Sequence, residues 1–189
     1  MGFFSRSKPR ASSEELILSL TPAVIALSKQ SAEALMAAMK ESGVGPGDPY
    51  AGTQMLIDFL FFNYQWVDRV AFKSLGDKRI PFMDSFRESL MAELAQFALV
   101  PTLSAKERAQ GIEELQRSLD RFLVEFGTYN ATPETQGGAL KGTLFWEFGK
   151  RVALDSGNPN HLLVIGLASV QALSAIGAMD IPKLLATLR

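Results

Sequence analysis

Apolar residues along this chain recur mostly at spacings of three and four, the rhythm of helices that turn one face inward. It is clearest where Ile112, Leu115, Leu119, Phe122 and Phe126 alternate the two spacings, with Glu113, Arg117, Arg121 and Glu125 opposite them in i,i+4 relations. A similar stripe of Met83, Phe86, Leu90, Leu94 and Phe97 predicts a core-facing helix from about 81 to about 99. A first helical region from about 13 to about 41 carries Ile17, Leu20, Val24, Leu27, Leu35 and Ala38, with a break or kink expected at Pro22.

Two segments are too apolar for this one-sided pattern. The second helix, from about 49 to about 75, contains MLIDFLFFNYQWVDRVAF and is apolar around most of its circumference. The sixth, from about 159 to about 178, contains LLVIGLASVQALSAIGAM, with no formal charge. Both are expected at the centre of the fold, surrounded by neighbours. A fifth helix runs from about 133 or 139 to about 155, and a terminal turn or short helix follows Asp180.

The punctuation agrees with helices. Thr21-Pro22, Asp48-Pro49, Thr132-Pro133 and Asn158-Pro159 each place a capping residue before a proline, which presets φ at a first helical position. Ser12-x-x-Glu15 and Ser104-x-x-Glu107 have the form of capping boxes, and Pro81 and Pro182 suggest further starts. GVGPGDP, residues 43 to 49, is a connector; it lacks the Gly-Lys-Ser/Thr that opens the helix of a phosphate loop. No stretch sustains a period of two between turn signals. The expected fold is all-α, a compact single-domain bundle or orthogonal array of about six helices over 12–189, preceded by a flexible basic tail over 1–11.

Composition narrows function mainly by exclusion. With 189 residues and 47% apolar content the chain can bury a core unaided. Nineteen basic against twenty acidic residues leave a net charge of −1, so no nucleic acid partner is expected. The absence of cysteine removes thiol chemistry, thiolate metal sites and disulfides. The opening MGFFSRSKPR has no apolar core of a secretory signal and does not fit the myristoylation pattern, so a cytoplasmic location is expected. Asn130-Ala131-Thr132 is then an idle sequon.

His161 is the single histidine, and neither paired Glu-x-x-His motifs nor an aspartate-rich magnesium motif occurs, so no cofactor or metal is expected. On the second helix Asp68 shares a face with Ile57, Phe61, Tyr64 and Leu75, making it the leading candidate for a desolvated carboxylate, with Arg79 or Arg87 as partner. Arg69, Lys73, Lys78 and Arg79 gather between the second and third helices and could surround an anion, or simply complement a helix end. On the fifth helix Gly138, Gly142, Gly149 and Ala153 would form a strip beside Trp146, where a neighbouring helix or an apolar ligand approaches closely. The candidate ligand-binding set is therefore Asp68, Arg69, Arg79 and Trp146.

Leu162 to Met179 approaches membrane-spanning length, but Gln171 and mid-helix Gly and Ser residues favour a buried helix. Membrane contact is expected at most from the weak Phe3-Phe4 and Arg6-Lys8-Arg10 tail. What survives is a non-enzymatic interaction protein, meeting a protein partner or itself through its amphipathic fourth helix or an exposed aromatic surface. The alternative is a binder of a small apolar or amphipathic ligand, in a pocket between the second and fifth helices. No residue is nominated for catalysis.

Overall fold

A computed structural model describes residues 12–47, 49–97, 104–129 and 142–188. They form α1 (Ser13–Glu41), α2 (Ala51–Leu75), a 3-10 turn (Gly76–Lys78), α3 (Arg79–Phe97), α4 (Ala105–Phe126), α5 (Leu144–Asp155), α6 (Leu162–Met179) and α7 (Ile181–Ala186), with no strand among the described residues. The fold is all-α. Thr132-Pro133, Gly138 and the tail over 1–11 lie outside the described residues, as does Asp48.

Both capping boxes form. Ser12 and Ser104 accept from the backbone of Glu15 and Glu107, whose carboxylates return to the serine amides. The proline signals fare less well. Pro22 lies inside α1, which runs unbroken to Glu41, and Thr21 donates from its hydroxyl to Ser89 Oγ at 2.9 Å instead of capping. The helix survives because Pro22 and Leu18, the residue whose carbonyl loses its partner, are both exposed. Asn158 likewise caps nothing: its amide donates to Gly45 O and Ser156 O, and α6 starts later, after His161.

α2 touches all six other α-helices. Thirteen of its residues are buried, and its aromatic side chains interlock with α5 and α4: Phe62 lies 4.4 Å from Phe148 between ring centroids, Phe59 5.1 Å from Phe148, and Phe61 5.7 Å from Phe122. α4 turns Leu119, Phe122 and Phe126 inward, and its surface ion pairs radiate from Glu114 to Arg117 and Arg121, not from Glu113.

α6 departs from the central position expected of it. Val164, Ile165, Ala168, Ser169, Ala172, Ala175 and Met179 face α5, α1 and α2. The other side leaves Leu162, Leu163, Val170 and Leu173 at 68%, 43%, 58% and 56% exposure. A helix without a polar face gives no sequence signal of which side is covered; the small residues went inward because the α5 backbone passes there. At Gly149 a Cβ would collide with the carbonyl oxygen of Ile165 and lie 2.6 Å from Ser169 Oγ, whose hydroxyl contacts Phe145 O and Ile165 O. That part of the glycine strip is thus explained by a neighbouring helix, whereas Gly142 precedes α5 at φ 80°.

Candidate functional site

Three of the four sequence-nominated residues meet in one groove of about 780 Å³, between the C-terminal half of α2, the end of α4 and the start of α7. Asp68, Arg69 and Arg79 line it together with Trp66, Phe72, Leu123, Val124 and Pro182. Trp146 is half-buried on α5 and is not among the lining residues; Trp66 of α2 holds the indole position there.

The groove is not the desolvated acid site that the helical face implied. Asp68 is partly exposed and fully partnered: Arg79 donates Nε and Nη2 to its two oxygens at 2.8 and 2.6 Å, and lies 5.3 Å over the Phe72 ring. Arg87 pairs instead with Asp120 across to α4. Arg69 is also committed. Its Nη2 donates to Phe126 O and Tyr129 O at 2.8 and 2.7 Å, closing the C-terminal end of α4. Of the cations expected around an anion, Arg79 is taken up by Asp68 and Arg69 Nη2 by two backbone carbonyls, while Arg69 Nε is buried without a partner. Tyr64, stacked on Phe86 below, is pushed up to about 12 by burial and stays a neutral phenol.

The desolvated carboxylate of α2 is Asp58, ten residues before the Asp68 expected in that role. It is wholly buried. Oδ1 accepts from Gln54 Nε2 at 3.3 Å and stands 3.9 Å from Arg151 Nε; Oδ2 meets no N–H or O–H donor. Burial drives this carboxyl well above the usual carboxylate range, the neighbouring Asp155 pushes the same way, and Arg151 opposes them. The available signal was its position as the single charge within MLIDFLFF, the most apolar stretch of the helix.

Arg151 is the hinge of this polar cluster. It is ion-paired with Asp155 one turn along α5 and reaches Glu125 of α4 at 3.5 Å. It also lines two clefts. One, of about 540 Å³, lies between α2 and α4 and is walled by Ile25, Leu56, Ile57, Leu60, Ile112 and Leu115, with Gln54 and Arg151 as polar contributors. The other, of about 430 Å³, is polar and carries Glu125, Glu147, Lys150 and Tyr129. No group of three or more acidic or histidine side chains suited to a metal ion occurs among the described residues.

The remaining unusual surface is the outer face of α6. The run from Leu162 to Ala186 is apolar and long enough to cross a membrane by composition, yet the chain turns at Asp180, with φ 39°, and a third of the run is buried in the fold. Comparison of the chain with protein-family models, with curated proteins and with solved structures finds no match to any of them.

Proposed function

We propose that this protein is a non-enzymatic interaction module that pairs with a second copy of itself through the outer face of α6. The carrying observation is the stripe Leu163, Gly166, Val170, Leu173 and Gly177, spaced three, four, three and four, on a helix with no formal charge. The leucines and the valine of that stripe stand out into solvent, and the positions where Gly166 and Gly177 would carry a Cβ are open. Set antiparallel about Val170, the stripe is complementary to itself: Leu163 of one copy is level with Gly177 of the other, and Leu173 is within a residue of Gly166. Isologous contacts of this kind require a patch that fits itself. A charged partner would find no ion pair on this face; a second copy matches its chemistry. The amphipathic fourth helix is a weaker interface, because its Leu119, Phe122 and Phe126 are committed to the core.

Magnitudes set the strength. Covering three half-exposed aliphatic side chains contributes ~1 kcal/mol each, so about 6 kcal/mol for the pair. That is comparable with the lost freedom of two molecules, which makes association concentration-dependent rather than obligate. Sedimentation equilibrium of the native protein should show a rising dimer fraction with concentration, and Val170→Glu should remain monomeric with unchanged helicity. A native protein that stays monomeric at every concentration, or is captured by phospholipid vesicles through α6 instead, overturns the reading.

A second reading is favoured by the 540 Å³ cleft between α2 and α4, which has the size and the apolar lining of a small-molecule site with Gln54 and Arg151 to orient a polar head. Ile57→Trp fills that cleft, and a native mass spectrum that loses a copurified ligand in this variant supports the reading; unliganded native protein opposes it.

A further inference from the structure

The buried oxygen of Asp58 faces no donor, but it has a neighbour of its own kind. Asp155, on the last turn of α5, is held by Arg151, whose Nε also stands 3.9 Å from Asp58 Oδ1, so one guanidinium nitrogen gathers both carboxyl groups. Two carboxylates gathered on one guanidinium nitrogen, one of them dry and with an oxygen that meets no donor, are relieved when the dry one carries a proton. We infer that Asp58 is protonated in the folded protein while Asp155 beside it stays paired with Arg151, and that this proton is a pH-responsive latch joining α2 to the end of α5.

Geometry chooses Asp58 as the acid. Its side chain is 1% exposed, against 19% for Asp155, and the guanidinium of Arg151 sits against Asp155 while standing 3.9 Å from Asp58. The surrounding charges do not offer Asp58 another partner. From α5 come Arg151, Asp155, Glu147 and Lys150, the last two paired with each other; from α4 comes Glu125, bound to Arg151. Within α2 the neighbour is the uncharged Gln54. α1 sends only Thr21, Ser28 and Ser31 into the interior as polar groups, α6 has no charge, and Lys183 of α7 is exposed.

Losing the proton would leave a dry carboxylate beside a second carboxylate, a state relieved only if water enters or the last turn of α5 moves away. That turn runs directly into a clasp. Ser156 O accepts from Gly47 N at 2.8 Å, Asn158 reaches Gly45 O, and Gly157 packs against the backbone of Gly47 so closely that a Cβ there would lie 2.9 Å from its Cα. The latch therefore bears on the join between the α1–α2 connection and the α5–α6 connection. It stands independently of α6 pairing.

The linkage has a definite sign. The carboxyl is raised in the folded state, so between the ordinary carboxylate range and that raised value the folded protein holds the extra proton. Stability is greatest below the ordinary range and falls as pH climbs through the raised one. A carboxyl-carbon NMR titration of the native protein should show one aspartate that keeps its proton above the ordinary carboxylate range. Its melting temperature should fall as pH rises from the ordinary carboxylate range through that raised value. Asp58→Asn and Asp155→Asn each supply a permanent N–H donor to the remaining carboxylate, and both should flatten that slope. Aspartates that all titrate in the ordinary acid range, or variants with the native slope, overturn the inference.

Discussion

α2 and α6 are the two most apolar long helices of the protein, and they spend that apolarity differently. α2 is enclosed by six helices and carries its bulk in phenylalanines that interlock with α5 and α4. α6 presents alanines, a serine and aliphatic residues to its neighbours and leaves three leucines and a valine in solvent. Hydrophobicity alone thus measures how much a helix could bury, not how much neighbouring elements are there to cover it.

The sharpest way to break this contrast is to remove bulk from the enclosed helix. Phe62→Ala should destabilise by ~3–5 kcal/mol in urea unfolding, because Phe148 and Phe145 pack on that ring and a cavity remains. Next comes the covered side of α6. Gly149→Ala gains ~1 kcal/mol of helix propensity but forces a methyl against Ile165 O, at an overpacking cost of ~1–3 kcal/mol. A net loss is expected, and a stabilised variant would mean that α5 and α6 are looser than described.

Smaller again is Asp68→Ala at the wet end of α2. Its bidentate pair with Arg79 is partly exposed, so a loss of about 1 kcal/mol that shrinks in high salt is expected. Smallest in stability is Leu173→Ser on the open side of α6. Thermal unfolding of the dilute protein should move by no more than ~0.5 kcal/mol equivalent, while self-association weakens. A large stability loss there would show that α6 is covered after all.

Much of the fold was legible from local chemistry. The serine-glutamate boxes at Ser12 and Ser104 need only residues three apart, and the periodic apolar face of α4 needs only its own helix. Proline was legible only in part. At Pro182 it opens α7, but at Pro22 the sequence could not disclose that the affected turn faces water and that Thr21 has a partner 68 residues away. The candidate site was less legible still. Asp68, Arg69 and Arg79 do share a groove, because they are close in sequence and at one end of α2. Their roles were hidden because the partners of Arg69 are carbonyls at the far end of α4, and those carbonyls are freed by where that helix stops.

The sequence by itself determined that this chain is helical, where most helices lie, and that α2 belongs inside, since each follows from spacing, capping and side-chain size within one segment. Only the tertiary structure decided which of two aspartates ten residues apart on α2 is dry, because ten residues carry the helix from the α5 contact to the open groove beside Arg79. It likewise decided which side of α6 meets solvent. Both depend on where another part of the chain passes, a non-local fact that no periodicity within the segment encodes.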